Sequence, residues 1–134
     1  KQSDIERIGC GSIHLVGRLG RQDMAALMSQ ADTMALPSRS EGFATTLLEA
    51  AACATPAIVT PVGGTDELVS DERFGTIIPD ARTETVEAAL REAARSPQKL
   101  AEQGENVARR VRAEYSWRRT AERALTACRK ANEK

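Results

Sequence analysis

Apolar residues recur along this chain with two different periods. Ser12-Ile13-His14-Leu15-Val16-Gly17 reads as a short strand closed by glycine. From Gln22 to Ala31 the spacing of Met24, Leu27, Met28 and Ala31 predicts a helix. Thr33–Leu36 is a second strand, stopped by Pro37, and a helix follows from about Phe43 to Cys53. Pro56–Thr60 reads as a third strand. The turn Pro61–Gly64 then leads into a short helix through Val69, for which Thr65 is the expected cap. Phe74–Ile78 is the fourth strand, ended by Pro79. Beyond it the pattern is helical throughout. Val86, Ala89, Leu90, Ala93 and Ala94 form one stripe, and Leu100, Gly104, Val107, Ala108 and Val111 form the next. Between them Ser96-Pro97 supplies a cap and a proline at the first helical position. Ser116 restarts a last helix with Trp117, Ala121, Ala124, Leu125 and Cys128 on one face.

Short strands alternating with helices make the fold class α/β, a Rossmann-like parallel sheet of about four strands. The expected organisation is one domain over 1–134, with an α/β core at 12–80 and a helical tail at 83–132. The opening KQSDIERIGCGS is a polar lead-in without a preceding strand. It reads as the edge of something longer, with a sheet edge open to self-association.

Charge narrows the function classes. The chain holds 19 basic and 19 acidic residues, so no global field favours nucleic acid or a membrane. The halves differ: 1–106 carries 10 bases and 16 acids, whereas 107–134 carries 9 bases and 3 acids. A basic terminal helix is either a solvated face or a docking surface for an acidic partner. Cys10, Cys53 and Cys128 lack metal-like spacing, which points to reduced thiols and a cytoplasmic setting. No apolar run approaches the ~18 residues of a membrane span.

The candidate chemistry sits in SRSEGFATTLLEAAACATP, residues 38–56. A strand ends, a loop runs to Gly42, and a helix begins. Ligands of open α/β sheets bind beyond the carboxyl ends of strands at such places. The first helical amides, near Phe43, Ala44, Thr45 and Thr46, lack intrahelical partners and suit a phosphate. Gly42 lets backbone approach a ligand closely. Glu41 repels phosphate but accepts hydrogen bonds from hydroxyls, so a ligand carrying phosphate and polyol satisfies both. Taken alone, Glu41 also fits an acid stabilising a helix N-terminus. By the 3.6-residue period Glu49 lies roughly 150° from the apolar face, as an ordinary surface acid would.

The run PSRSEGFATTLLEAAACATPAIVTPVGGTDELV resembles the C-terminal, donor-binding domain signature of retaining glycosyltransferases of the GT-B fold, glycosyltransferase family 4 in particular. HLVGRLGRQDMAALMSQADTMALPS upstream and EYSWRRTAERAL downstream are similar to the family's flanking elements, so the likeness runs from about Ile13 to about Leu125. The resemblance implies that Glu41 contacts donor-sugar hydroxyls and is the catalytic residue of the set. It implies that Glu49 holds the ribose, that Gly42, Phe43, Ala44 and Thr45 hold sugar and diphosphate, and that Arg18 and Leu19 border the base. The substrate would be a UDP-, GDP- or ADP-sugar, with no cofactor and no metal.

Departures from the family pattern carry expectations of their own. Ala44 replaces the usual glycine and puts a methyl group at the turn, Ala54 stands where glycine is common, and Asp66 where proline is common. The basic pair that neutralises the leaving diphosphate has no match in Lys1–Gly11. The resemblance also implies a longer parent whose acceptor-binding N-terminal domain is expected to lie outside this chain, and through that domain the parent would sit peripherally at the inner face of a membrane. The 134-residue chain alone is therefore expected to be inactive. Two rival readings stand beside the transferase: a non-catalytic nucleotide-sugar binding module, and an interaction domain using the basic C-terminal helix. His14 reads as structural, Arg39 as a surface residue, the Gly63-Gly64 turn as simple turn chemistry, and Cys53 as a small buried hydrophobe.

Overall fold

The computed structural model describes residues 13–132. Its sheet has three parallel strands, β1 (Met34–Leu36), β2 (Ala57–Val59) and β3 (Gly75–Ile77), in that order. The helices are α1 (Arg21–Gln30), α2 (Thr45–Ala52), α3 (Thr65–Leu68), α4 (Thr83–Arg95), α5 (Pro97–Glu114) and α6 (Trp117–Asn132).

Strand alternation divides the core into two layers. Ala57 and Val59 face a cluster made by Leu47 and Ala51 of α2, Leu68 and Val69, and Val107 and Val111 of α5. Their register partners on β1, Met34 and Leu36, pack against the same cluster. Ile58 points the other way, onto Ile78, Ala93 and Leu100. Helices thus cover both faces of β2, which is why its three residues are all apolar and buried.

Close approach of α5 depends on one residue. A Cβ at Gly104 would overlap the carbonyl of Ala54 and lie 3.4 Å from Pro56 Cδ. The helix also staples the chain between α3 and β3. Gln103 donates to the carbonyls of Glu72 and Gly75 at 2.7 and 3.1 Å. Arg110 donates to the Leu68 carbonyl and the Ser70 hydroxyl, and its guanidinium stacks 4.6 Å from the Phe74 ring centre.

Several sequence expectations need correction. Ile13–Gly17 forms no strand, and His14 is exposed rather than built into a sheet. Ile13, Leu15 and Val16 are all exposed, and no strand pairs with them among the described residues. An extended segment becomes a strand only when a neighbour takes up its backbone groups. Ser12 and Cys10 lie outside the described residues. The helix expected from Phe43 starts two residues later, at Thr45. Ser96 stands at the N-cap position of α5 and Pro97 is its first residue, as expected, but the Ser96 hydroxyl donates to Glu92 rather than to a helix amide. Thr65 is the first residue of α3 rather than its cap, because Gly64, at φ +76°, takes the cap position.

The stripe on α6 finds no partner among the described residues. Trp117 is 89% exposed and Leu125 59%. Tyr115 is the last side chain of this end of the molecule to pack against the core, where burial pushes its phenol above the ordinary pKa.

Candidate functional site

The segment between β1 and α2 is ordered by few and specific contacts. Leu36 ends β1, and the Ser38 amide donates back to its carbonyl at 2.9 Å. The Ser38 hydroxyl donates to Glu41 Oε1 at 2.6 Å, and Glu41 is half-buried. At the start of α2, the Thr45 amide donates to the Phe43 carbonyl and the Leu47 amide to that of Ala44, both at 2.9 Å. Thr45 is therefore engaged, contrary to the expectation that its amide is free. The amides of Gly42, Phe43 and Ala44 have no hydrogen-bond partner among the described residues. They form a run of donors beside an oriented carboxylate, at the carboxyl end of a parallel strand.

Ala44 lies in the core cluster at 9% exposure. Its side chain is part of the buried core, not exposed at the turn as the sequence led one to expect. Gly42, Phe43 and Thr45 are exposed.

Glu49 is exposed, as the helical period requires, while Leu47, Ala50 and Ala51 of the same helix are buried. It stands about 6 Å along the axis from Thr45, since each helical residue rises ~1.5 Å. α1 packs beside α2 and closes a groove of about 690 Å³ lined by Leu19, Arg21, Met24, Met28, Glu49 and Cys53, among others. That volume lies within the ~300–1,000 Å³ of small-molecule sites. The structure therefore brings Leu19 and Glu49 into one wall. Arg18 is exposed and is not part of the lining. Cys53 is half-buried on this wall rather than enclosed in the core, and it is a free thiol, as is Cys128.

Three contributions escaped sequence reasoning. Gly63, at φ +57°, is pressed so closely against Glu41 that a Cβ there would lie 2.6 Å from Glu41 Cβ. Gly64 lies against the Phe43 ring, where a Cβ would be 3.4 Å from the nearest ring carbon. The glycine turn thus shapes the Glu41 loop instead of merely reversing the chain. Ser38 was legible in principle, because S-x-x-E spacing pairs Ser and Glu at capping boxes. Here the two side chains bond to each other. Thr60, whose hydroxyl donates to the Ser38 carbonyl, has no local signal, since 22 residues separate them.

Other polar groups have structural partners or face solvent. Arg39, Asp66 and Glu67 are exposed. Asp71 and Asp80 make local ion pairs with Arg73 and Arg82. Hydrogen bonds from Arg73 hold the Asp71 carboxyl well below the usual carboxylate range. Among the described residues no three His, Cys, Asp or Glu side chains are placed to hold a metal. No described helix is long and apolar enough to cross a membrane.

Comparison with known proteins assigns the chain. The profile of the family described as glycosyl transferases group 1 matches residues 6–110. The D-inositol 3-phosphate glycosyltransferase of Saccharomonospora viridis is 38% identical over 112 residues, covering 84% of this chain and 26% of that protein. Among solved structures, sucrose-phosphate synthase from Thermosynechococcus elongatus superposes with a TM-score of 0.87 at 26% identity, over 98% of this chain and 33% of that one. The C-terminal domain of a glycosyl transferase group 1 protein (LpcC) from Francisella tularensis shares the fold, with a TM-score of 0.75 at 18% identity, over 87% of this chain and 60% of that one. The chain spans about a quarter of the first relative and a third of the first structure. It belongs to the glycosyl transferases group 1 family and corresponds to the C-terminal domain of GT-B glycosyltransferases.

Proposed function

We propose that this domain holds the nucleotide-sugar donor of a retaining glycosyltransferase. The observation that carries the reading is the juxtaposition at the start of α2. The amides of Gly42, Phe43 and Ala44 stand without partners beside the half-buried carboxylate of Glu41. Amides at a helix start favour phosphate oxygens, and the carboxylate favours hydroxyls. A sugar diphosphate carries both. Glu49, on the groove wall with Leu19, is placed to accept the ribose hydroxyls while the base lies against Leu19, Met24 and Met28.

In the parent enzyme the acceptor oxygen would replace the diphosphate at the anomeric carbon, on the face the diphosphate leaves. The new carbon–oxygen bond forms as the old one breaks, the diphosphate departs with the bonding electron pair, and the acceptor hydroxyl's proton passes to the departing diphosphate oxygen. Glu41 would position the sugar through its hydroxyls, and the amides of Gly42, Phe43 and Ala44 would offset part of the charge developing on the leaving group. These partial charges contribute about 0.3–2 kcal/mol, against the ~8 kcal/mol or more an enzyme removes from its barrier. Acceptor binding and full leaving-group stabilisation therefore belong to parts of the parent outside this chain, and the chain alone binds donor without transferring sugar. The free thiols of Cys53 and Cys128 support a cytoplasmic setting. The outer edge of β1, unpaired among the described residues, supports self-association of the isolated domain.

A thermal-shift series with UDP-, GDP- and ADP-glucose tests the reading, because a ligand that binds only the native state raises apparent stability. One of the three should raise Tm in proportion to the logarithm of its concentration. No shift from any of them at millimolar concentration would reject donor binding by this domain.

A further inference from the structure

Glu41 is held by a chain of hydroxyl groups that reaches it from β2. Thr60 directly follows β2 and is 3% exposed. Its hydroxyl donates to the Ser38 carbonyl at 2.5 Å. Its carbonyl accepts the Thr65 hydroxyl, also at 2.5 Å, and the Val62 amide donates to Thr65 Oγ1 at 3.1 Å. The Ser38 hydroxyl completes the chain by donating to Glu41 Oε1. On the other side, Gly63 is pressed against the Glu41 backbone.

The chemistry of the last link matters. An arginine partner would occupy both carboxylate oxygens in a fork and offset the charge. A serine hydroxyl takes one oxygen and leaves the charge in place. Oε2 of Glu41 has no hydrogen-bond partner among the described residues, and no ion pair among them includes Glu41. The arrangement fixes a carboxylate while keeping one oxygen available to an incoming hydroxyl.

We infer that Ser38 and Thr60 are positioning residues for Glu41: Thr60 fixes the Ser38 backbone, and the Ser38 hydroxyl sets the direction of the free Glu41 oxygen toward the donor sugar. The inference rests on the reading of Glu41 as the sugar contact. A buried threonine bonded to a carbonyl is common, so an internal control is needed, and Thr55 provides it. It is 2% exposed and donates at 2.5 Å to the Met28 carbonyl, at the opposite end of β2. Its loss removes the same kind of bond without touching Glu41.

The test compares each of UDP-, GDP- and ADP-glucose with its nucleoside diphosphate by calorimetry. The variants are Thr60→Val, Thr60→Ser, Ser38→Ala, Thr55→Val and Glu41→Gln. Thr60→Val, Ser38→Ala and Glu41→Gln should each lower the ratio of sugar-nucleotide to diphosphate affinity about tenfold, the size of one lost hydrogen bond. Thr60→Ser and Thr55→Val should keep the ratio of the parent chain. If Glu41→Gln lowers the ratio and Thr60→Val does not, the positioning role is overturned while the sugar contact stands. If Glu41→Gln leaves it unchanged, the sugar contact itself is overturned. Thr60→Ser behaving like Thr60→Val would show that volume matters rather than the hydroxyl, and would also overturn the inference. A ligand-free measurement stands beside these. Carbon-13 relaxation of the Glu41 side chain should report greater mobility in Thr60→Val and Ser38→Ala and none added in Thr60→Ser or Thr55→Val. Unchanged mobility in both of the first pair would overturn the inference without any ligand. Should Thr60→Val fail to fold, Ser38→Ala, at a half-buried loop position, decides both measurements.

Discussion

Glu41 has a hydroxyl partner at 2.6 Å and a glycine pressed against its backbone, whereas Glu49 stands exposed on the wall of a groove. Both acids belong to one strand–loop–helix unit. Their treatment differs because their proposed tasks differ. Choosing among sugars that differ in one hydroxyl requires a carboxylate held in a single direction before the ligand arrives. Accepting a ribose diol, common to all donors of one nucleotide class, requires only a carboxylate on a wall already shaped by other side chains. The loop spends contacts on Glu41; around Glu49 the walls of α1 and α2 provide the shape.

The strongest way to break this comparison is to remove the support on one side only. Gly63→Val places a side chain against the Glu41 backbone at a residue with φ +57°. Left-handed strain and overpacking together should destabilise the fold by about 2–5 kcal/mol. Denaturant unfolding measures it, and unchanged stability would show that the turn does not clamp Glu41.

Next in size is Glu41→Ala. It should weaken sugar-nucleotide binding by about 1.5–3 kcal/mol and leave nucleoside-diphosphate binding nearly as it was, because only the sugar meets that carboxylate. Equal losses for the two ligands in calorimetry would place Glu41 elsewhere than at the sugar. Glu49→Ala sharpens the contrast. Both ligands should lose about 0.5–1.5 kcal/mol alike, with folding changed by no more than ~0.5 kcal/mol because the side chain is exposed. Unfolding of this variant by several kcal/mol would assign Glu49 to a structural network instead.

How much of this was legible depends on the range of the interaction that decides each feature. β1, β2 and β3 fall inside the segments read from pattern and punctuation, since Pro37, Pro61 and Pro79 delimit them locally. Glu41 and Glu49 stood out through the motif around them, and the exposure of Glu49 followed from helical period. The clamp by Gly63 and the Thr60–Ser38 bond were not legible, because each joins residues about 22 apart and no local spacing encodes it. Ala44 was misread for a related reason: a side chain at a helix start points to core or ligand according to the backbone entry angle, which composition does not give. Ile13–Gly17 and α6 show the limit of periodicity. Both carry a clear apolar pattern, yet Leu15 and Trp117 are exposed, because a pattern names a face and not its partner.

The smallest expected effect concerns a carboxylate outside the site. Asp71 is bound by Arg73 at 2.9 Å, and that bond holds its pKa below the ordinary value of about 3.9. A depressed folded-state pKa contributes stability above the unfolded value and loses it as pH falls through the folded value. Asp71→Asn should therefore leave donor binding unchanged and remove a small contribution that fades only below about pH 4. The stabilities of the two proteins, measured from pH 7 to pH 2, should draw together below about pH 4. A difference that stays constant across that range would show that the ion pair is not its source.

The central claim is that the start of α2 and the groove beside Glu49 form one donor site. Amide chemical-shift mapping tests it most directly, with whichever of UDP-, GDP- and ADP-glucose gives the largest thermal shift. The account predicts that the largest changes fall on Gly42, Phe43 and Ala44, with a second set on Leu19 and Glu49. It also predicts that the matching nucleoside diphosphate reproduces the second set while altering the environment of Glu41 less. Saturable shifts confined to α6, or to the Ser70–Phe74 segment and Arg110, with Gly42–Ala44 unmoved, would contradict it.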